Sequence, residues 1–309
     1  MAVYDTPPPL LAKAIESILA QSFGDFEFLI LDDGSSGLET RNTLAGYAAA
    51  DSRIALYWEP HRGLTRTLNR GLRLAEGTYL ARQDADDFSS SQRLDRQIAA
   101  FEANPELVLC GSNAWLHQHD GRRLWSTRLP RTRAQIQEAL WQGNPFVHGS
   151  TMFRLSAARM LGGYREEFPC SQDYDLFWRL SEWGEVLNLL EPNYHYRYSA
   201  TAVSARRAVD QLRAHGAARV LALARQRGES EDIEAALEAA DRKLDLRRGC
   251  RRAALKQADH FLLAGHYRNA FSQYTALVRQ EPADWVGWAK LLRGAVFASA
   301  PGMREACFS

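Results

Sequence analysis

The chain has 309 residues, 46% of them hydrophobic, which is long enough for one large domain and a smaller one. Its 38 basic and 37 acidic residues leave a net charge of +1, so composition gives no argument for nucleic acid as a partner. The four cysteines form no CxxC pair, and no apolar run approaches the ~20 residues of a membrane-spanning helix. These features indicate neither a zinc site nor a disulfide framework, and they favour the reduced cytoplasmic compartment.

Helices and strands alternate along the first hundred residues. Leu11, Ile15 and Ile18 recur at helical spacing after three prolines. The elements that follow are strands at 26–31 and 54–58, a helix at 64–72 and a strand at 78–83. This alternation predicts an α/β fold with a mostly parallel sheet flanked by helices, which binds ligands at the carboxyl ends of its strands.

The first strand of this sheet is nearly absent from the pattern. Residues 1–5 look like the tail of a strand, because a polar loop and a helix follow with no apolar run ahead of them. We therefore expect either a truncated first strand or a natural start several residues upstream.

Acidic residues follow two of the predicted strands. Asp33 follows the strand at 26–31, and Asp84, Asp86 and Asp87 follow the strand at 78–83. Like charges this close repel one another unless a cation compensates, so the second group is either a divalent-metal site with oxygen ligands or a solvated acidic turn. It is not a calcium-binding loop, because Ser89 stands where such a loop needs glycine.

Further elements follow the acidic residues. The pattern predicts a helix near 94–101, a strand at 107–110 and a helix at 136–141. Leu176 and Leu180 then mark one face of a helix whose first turn holds Asp173. A carboxylate is favoured there by the helix dipole, and a role as the N-terminal cap is open.

Nine short segments resemble, in order and spacing, the family 2 glycosyltransferases of the GT-A fold, the inverting, non-processive kind that build bacterial surface glycans. The segments lie at 2–4, 17–23, 31–35, 68–71, 75–79, 84–87, 148–154, 162–164 and 173–176. The resemblance covers residues 1–204, which we take as a GT-A domain, and leaves 205–309 as an α-helical C-terminal region.

The resemblance implies a role for each matching residue that binds the donor. Ala2, Tyr4, Asp33 and Asp84 would bind the nucleotide sugar, with Asp33 accepting a hydrogen bond from the base and Asp84 facing the ribose and diphosphate. Asp86 would ligate Mn²⁺ or Mg²⁺ bridging the diphosphate. A turn-forming role for Asp33 is the alternative.

The resemblance also implies which residues take part in the reaction or contact the acceptor. Asp173 corresponds to the catalytic base that takes the proton of the acceptor hydroxyl, and a single base acting opposite the leaving group gives inversion. Gln172 stands where the family often has glutamate, which affects the expected acceptor contacts. His148 is either a structural histidine or a group near the diphosphate or acceptor. Tyr174, Phe177 and Trp178 are interpreted as core residues or walls of the acceptor cleft, and a cofactor-binding aromatic box is the alternative.

The resemblance thus implies an enzyme that moves a sugar from a nucleotide-diphosphate donor to a hydroxyl of a glycan or lipid-linked acceptor, in the cytoplasm or at the inner face of the membrane. The alternative is a catalytically impaired nucleotide-sugar-binding or scaffolding protein that uses its helical tail. A dinucleotide-dependent oxidoreductase lacks support, since no GxGxxG opens a helix. A nucleotidyltransferase would need a glycine-rich, basic loop after its first strand, and residues 5–9 are neither glycine-rich nor basic.

The last third of the sequence is rich in alanine, leucine and arginine at helical spacing. An acidic block at 229–241 precedes a basic block at 242–256, and such blocks are either solvated helix faces or surfaces for a partner. The sharper interpretation is a peripheral contact of the basic block with anionic membrane lipid, through Arg247, Arg248, Arg251 and Arg252.

The end of the chain resembles one tetratricopeptide repeat. Gly265, Tyr267, Ala270, Tyr274 and Pro282 fall at its spacing. A lone repeat cannot bury its own face, so it would dock on neighbouring helices or mediate self-association, and a simple helical hairpin is the alternative.

Overall fold

The structure, a computed structural model, describes residues 1–198, 207–243, 246–282 and 285–299. The chain divides into two compact units. The first contains Met1–Trp115 and Ser126–Tyr196, and the second contains Leu116–Trp125 and the described residues from Arg197 onward. Residue 204, the predicted boundary, lies outside the described residues. The segment Leu116–Trp125 belongs to the second unit, which the sequence pattern did not indicate.

Three parallel strands form the first sheet, in the order β1-β2-β3. They are β1 (Ala2–Val3), β2 (Phe28–Asp33) and β3 (Ile54–Glu59). Parallel neighbours need a crossover connection, and helices α1 (Pro8–Leu19) and α2 (Leu38–Ala50) supply the two connections. The sequence pattern did not reveal α2, because only Thr40 and Leu44 of this helix are buried and its apolar stripe is correspondingly weak.

The second sheet has six strands, with the path β4-β8-β6-β9-β5 and β7 paired to β6. They are β4 (Tyr79–Ala81), β5 (Phe88–Ser89), β6 (Leu107–His117), β7 (Arg123–Ser126), β8 (Met152–Arg154) and β9 (Glu185–Arg197). The pairs β4–β8, β6–β8 and β5–β9 are antiparallel. The prediction of a mostly parallel sheet therefore holds for the first three strands, whereas these three pairs of the second sheet are antiparallel. Short apolar runs carry no information on strand direction, so the sequence pattern could not show this.

The remaining helices of the first unit are α3 (Leu64–Leu74), α4 (Arg93–Ala103), α5 (Arg133–Leu140), α6 (Leu155–Met160) and α7 (Gln172–Trp183), with one turn of 3₁₀ helix at His148–Ser150. Four of them, α3, α4, α5 and α7, lie at predicted positions, whereas α6 was not predicted. One core cluster packs α1 and α2 against the first sheet through Ile15, Ile30 and Leu44, all fully buried. This packing holds the carboxyl ends of β1, β2 and β3 at one edge, where the loops of the site begin.

The second unit is helical apart from its strand segments. Its helices are α8 (Ala208–Gln226), α9 (Ile233–Lys243), α10 (Leu246–Leu263), α11 (Tyr267–Gln280) and α12 (Trp285–Ser299). Ala270 and Tyr274 of α11 are buried against Leu262 of α10, so the predicted helical hairpin is present and its likeness to a tetratricopeptide repeat stays a prediction. Within the described ranges, no helix is long and apolar enough to cross a membrane.

Candidate active site

Asp33, the last residue of β2, holds the loop that follows β3. Its Oδ1 accepts hydrogen bonds from the Arg62 N–H (2.8 Å) and the Thr67 hydroxyl (2.9 Å). Its Oδ2 accepts from the Gly63 N–H (3.0 Å) and lies 2.9 Å from His61 Nδ1. Gly63 has a φ of 87°, a conformation that favours glycine. The carboxylate is buried, so its contacts make Asp33 part of the loop framework, and its contact with a nucleotide base stays a prediction.

Tyr4 lies beside this loop. Its ring stacks on His61 with centroids 4.3 Å apart, while 52% of the residue is exposed. The next residue, Asp5, accepts hydrogen bonds from the Gly37 N–H (3.1 Å) and the Ser36 N–H (2.8 Å), which lower the pKa of its carboxyl. The structure thus brings the predicted residue Tyr4 close to Asp33 through His61. Sequence reasoning missed His61, although its place after the third parallel strand was an available signal.

The acidic turn begins at Asp84, which lies next to β1. Ala2 and Asp84 form a parallel bridge, so these two predicted residues meet. The Arg82 guanidinium pairs with the Asp84 carboxylate, and the Asp84 N–H donates to the Tyr194 hydroxyl (3.2 Å). Burial opposes ionisation of Asp84, but nearby positive charges, the largest from Arg82 and a smaller one from Arg93, outweigh it and hold the pKa of this carboxyl below its usual value. Asp84 is therefore an anion at neutral pH.

The rest of the acidic turn is held from inside the protein. The Gln83 side-chain amide donates to the backbone carbonyls of Asp84 (2.9 Å) and Asp87 (3.0 Å). Asp87 is buried, whereas Asp86 is half-buried. In the described part of the chain, no three His, Cys, Asp or Glu side chains are grouped to hold a metal by themselves.

Gly149 brings the turn at His148–Ser150 against the acidic turn. A Cβ at this position would lie 2.0 Å from the Tyr194 hydroxyl oxygen and 2.7 Å from Asp84 Oδ2. Both distances are far below van der Waals contact, so only glycine fits without displacing Asp84. Gly149 lies within the matching segment 148–154, but the sequence gives no sign of this close approach.

Asp173 lies in the first turn of α7, and Ser171, with a φ of 58°, is the N-terminal cap residue. The interpretation of Asp173 as the N-terminal cap is therefore wrong, because the cap residue lies two positions earlier. Its Oδ2 accepts a hydrogen bond from the Asn144 side-chain amide (2.7 Å). Asp173 is half-buried and the neighbouring Gln172 is buried. Asn144 was missed because its partner is 29 residues further along the chain.

His148 lies within electrostatic range of the carboxylates of Asp84 and Asp173. Its Nε2 is 3.2 Å from the Tyr164 hydroxyl oxygen. Burial and the Arg82 charge lower the pKa of His148, and Asp173 and Asp84 act in the opposite direction. The imidazole is therefore neutral at pH 7. The structure thus brings together Asp84, His148 and Asp173, three residues that the sequence singled out separately.

The aromatic residues of α7 form packing contacts. Tyr174, Phe177 and Trp178 are buried, and the Phe177 ring packs against Phe146 with centroids 5.3 Å apart. Their interpretation as core residues is confirmed. This packing seats the helix whose first turn carries Asp173.

A buried ion pair fastens α7 to the loop before it. Asp175 accepts from Arg179 (2.6 Å) and Arg165 (2.9 Å), and Arg179 also donates to the Gly163 carbonyl (2.8 Å). Asp175 therefore has a structural role, and it fixes the loop that carries Tyr164.

Comparison with known proteins agrees with this arrangement. The family model of glycosyl transferase family 2 matches residues 1–162. The chain belongs to this family. A glycosyltransferase of Bacillus subtilis named EpsE is 34% identical over 202 residues, which are 63% of this chain and 71% of the relative. The amylovoran biosynthesis glycosyltransferase AmsE of Erwinia amylovora is 28% identical over 65% of this chain and 75% of its own length.

The family 2 chain also resembles solved structures, at identities that show the fold alone. The mannosyltransferase PcManGT of Pyrobaculum calidifontis, in complex with GDP-Man and Mn²⁺, matches with a TM-score of 0.54 and 15% identity, over 99% of this chain and 81% of that one. S. aureus TarS in complex with UDP-GlcNAc matches with a TM-score of 0.53 and 13% identity, over 99% and 82% of the two chains. The fold is GT-A with a helical C-terminal region, as the sequence resemblance implied.

Proposed function

We propose that this family 2 enzyme is an inverting glycosyltransferase that moves a sugar from a nucleotide-diphosphate donor to a hydroxyl of a glycan or lipid-linked acceptor. The observation that supports the proposal is that Asp84 and Asp173 both lie within electrostatic range of the neutral imidazole of His148. Relatives named for surface-glycan synthesis, such as AmsE, support the class of product. The relatives differ in size, since the chain covers 61% of a Methanocaldococcus jannaschii glycosyltransferase and 20% of a Sinorhizobium fredii protein.

In this proposal Asp173 takes the proton from the acceptor hydroxyl. Its carboxylate has one hydrogen-bond donor among the described residues, Asn144, which leaves acceptor capacity for a hydroxyl. Asn144 fixes the orientation of the carboxylate on a helix that is itself seated by buried aromatic side chains. A single base that activates the acceptor opposite the leaving group gives inversion at the anomeric carbon. Gln172, buried beside this base, is proposed to influence acceptor contacts through packing.

On the donor side, we place the nucleotide along the edge formed by Ala2, Tyr4, Asp33 and Asp84. The exposed, stacked Tyr4 ring offers an aromatic face, and Asp33 keeps the neighbouring loop in place. Asp84 lies next to Ala2 at the start of the acidic turn. His148, held neutral, adds no positive charge beside this carboxylate.

The carboxylates of the acidic turn fit a divalent metal ion that is bound largely by the phosphates of the nucleotide sugar. Mg²⁺ and similar cations are commonly bound by one or two carboxylates together with substrate phosphates, and this does not require a cluster of three protein ligands. Asp84, an anion at neutral pH, and the half-buried Asp86 are separated by a single residue and supply oxygen ligands of that kind. Asp86 would hold the Mn²⁺ or Mg²⁺, whose charge neutralises the departing diphosphate. The Mn²⁺ in the PcManGT complex supports this choice.

Donor turnover tests the proposal. GDP-mannose and UDP-GlcNAc would be offered with Mn²⁺ or with EDTA, and release of the nucleoside diphosphate measured for wild type, Asp173→Asn and Asp86→Ala. We expect Asp173→Asn to lower turnover by about 10²- to 10⁴-fold, the usual contribution of a general base, and Asp86→Ala to abolish the response to Mn²⁺. Glu138→Gln, an exposed carboxylate on α5, is the matched control and should behave as wild type.

Unchanged turnover in both variants would defeat the catalytic assignment. Donor binding without turnover in the wild type, detected as a ligand-dependent rise in melting temperature, would favour the nucleotide-sugar-binding scaffold instead. The two outcomes differ because only the first leaves an active enzyme.

We further propose that the protein acts in the cytoplasm, with peripheral contact to anionic lipid through the basic block of α10 and self-association through the C-terminal helices. Within that block Arg252 is exposed, which supports the contact. Arg251 instead pairs with Glu281 (3.3 Å). The side chains of Arg247 and Arg248 lie outside the described residues. Sedimentation with anionic vesicles at low salt tests the lipid contact, which fails if the protein stays in the supernatant.

A further inference from the structure

A fully buried arginine, Arg93, lies at the start of α4 and contacts the residues that flank the acidic turn at 84–87. Its Nε donates a hydrogen bond to Gln97 Oε1 (3.0 Å), and its Nη2 donates to the Thr151 carbonyl oxygen (3.0 Å). Its Nη1 donates to Ser89 Oγ (3.0 Å) and to Gln83 Oε1 (3.4 Å). All four acceptors are neutral oxygens, so these hydrogen bonds hold a cation in the core without using a carboxylate.

The charge of Arg93 is compensated from the acidic turn. Burial lowers the pKa of Arg93 to about 10, so the guanidinium is still charged at neutral pH, and the Asp84 carboxylate acts against this lowering. The guanidinium also lies over the Tyr194 ring, 5.3 Å from its centroid, and the Tyr194 hydroxyl accepts from the Asp84 N–H (3.2 Å). A buried charge is costly unless hydrogen bonds and opposite charges offset it. Here the offsetting groups belong to the acidic turn and its neighbours.

Gln83, the residue before the acidic turn, connects Arg93 to it. The side chain of Gln83 is buried, and its amide nitrogen donates to the carbonyl oxygens of Asp84 (2.9 Å) and Asp87 (3.0 Å). Its Oε1 accepts from the Ser89 hydroxyl (2.8 Å) as well as from Arg93. The Gln83 side chain therefore contacts the first and the last residue of the turn from the buried side.

Asp86 lies between the two carbonyl groups that Gln83 holds. The backbone on both sides of Asp86 is thus tied to one buried side chain, while Asp86 itself is half-buried. Metal affinity depends on how each ligand is oriented, and loss of a group that orients a ligand typically lowers the affinity about 10- to 100-fold. Gln83 is therefore placed to control the geometry of the carboxylate that the proposed function assigns to the metal.

A second buried glutamine, Gln97, also contacts Arg93 and provides a comparison. Its Oε1 accepts from Arg93, and its amide donates to the carbonyl oxygens of Cys110 and Ser150, both at 2.9 Å. Gln83 and Gln97 thus make the same kinds of contact, an acceptor contact to Arg93 and two donor contacts to backbone carbonyls. They differ in the backbone that they hold, because the carbonyls bound by Gln97 belong to β6 and to the 3₁₀ turn.

We propose that Gln83 is a positioning residue for the metal-binding carboxylate of Asp86. Arg93 and Ser89 hold the Gln83 side chain, and Gln83 in turn fixes the two carbonyl groups around Asp86. The turn is thereby kept in the shape in which Asp86 binds Mn²⁺ or Mg²⁺ together with the donor diphosphate. This inference rests on the proposed function for the role of Asp86, and it gives the buried Arg93 and Gln83 a task in metal binding.

The test compares Gln83→Met with Gln97→Met, which keep side-chain volume and remove the same kinds of hydrogen bond. Mn²⁺ is titrated into each protein with GDP or UDP present, and bound Mn²⁺ is measured by electron paramagnetic resonance. We expect the Kd for Mn²⁺ to rise about 10- to 100-fold in Gln83→Met and less than about threefold in Gln97→Met. Urea denaturation of both variants shows whether their losses of stability are similar, as a purely structural role for both residues requires.

Hydrogen exchange without metal or nucleotide gives a second readout. The backbone amides of residues 84–89 should exchange at least about tenfold faster in Gln83→Met than in Gln97→Met, because only the first variant removes the buried support of the turn. Unchanged exchange in this segment would overturn the inference.

Arg93→Lys tests the contribution of Arg93. Lysine keeps the charge but lacks the planar fork that contacts several acceptors at once, so the Kd for Mn²⁺ should rise. Adding this change to Gln83→Met should cause no further rise, because Arg93 acts through Gln83. Additive losses would overturn the link between the two residues.

The titrations also separate failure of this inference from failure of the proposed function. Equal Kd values for Mn²⁺ in Gln83→Met and Gln97→Met would overturn the inference and leave the metal site in place. A wild-type protein that binds no Mn²⁺ with either nucleotide would overturn the metal site of the proposed function, and this inference with it.

Discussion

The loop beyond β2 and the first turn of α7 each carry an aspartate that the sequence singles out, and the protein holds the two in different ways. Asp33 is buried and is contacted at both carboxylate oxygens by the loop after β3. Asp173 is half-buried and has Asn144 as its one hydrogen-bond donor within the described ranges. A carboxylate whose acceptor sites are filled by its own chain stabilises structure, whereas one with capacity left can accept a proton.

The largest expected effect separates these two aspartates by stability. Asp33→Asn replaces one acceptor oxygen by an amide that faces backbone donors, so about 3 kcal/mol of unfolding free energy should be lost. Asp173→Asn should cost less than about 1 kcal/mol, because a single hydrogen bond is affected. Urea denaturation of both variants measures the difference. Equal losses would contradict the contrast.

Gly149→Ala tests whether the acidic turn behaves like the rigid Asp33 loop. The added Cβ must displace either the Tyr194 hydroxyl or Asp84, and overpacking of this kind costs about 2 kcal/mol. Gly143→Ala is the control, since a Cβ there has no heavy atom within 4 Å. If both variants unfold at the same urea concentration, the close approach at Gly149 does not constrain the turn.

Asn144→Ala should affect chemistry more than folding. Asn144 orients Asp173, so we expect kcat to fall about tenfold, equivalent to about 1.4 kcal/mol, with KM nearly unchanged. In the double variant with Asp173→Asn, the loss should not exceed that of Asp173→Asn alone. Additive losses would show that Asn144 acts independently of Asp173.

The smallest expected effect is a pH dependence at His148. Its folded pKa lies below the ordinary value of 6.5 because of burial and Arg82, so below pH 6.5 the unfolded chain binds a proton that the folded chain does not. This contribution makes the protein less stable as the pH falls below 6.5. His148→Gln should remove about 1 kcal/mol of the difference between pH 7 and pH 5 in urea unfolding. An unchanged difference would show that His148 does not titrate in this way.

Local pattern was sufficient to predict most helices and strands and the acidic positions at their ends. Apolar spacing reports which face of an element is buried, and the turn after a strand is encoded by the residues within it. The weakly amphipathic helix α2 escaped this reasoning, and so did the antiparallel pairing after β4, because neither leaves a periodic signature.

The sequence by itself determined the family, the order of most elements and the residues Tyr4, Asp33, Asp84, Asp86 and Asp173 as candidates, because these depend on short motifs at defined spacing. Only the tertiary structure decided what surrounds them. The contact of Asp84 with Tyr194 spans 110 residues and that of Asp173 with Asn144 spans 29. Contacts at such separations are set by the packing of whole elements.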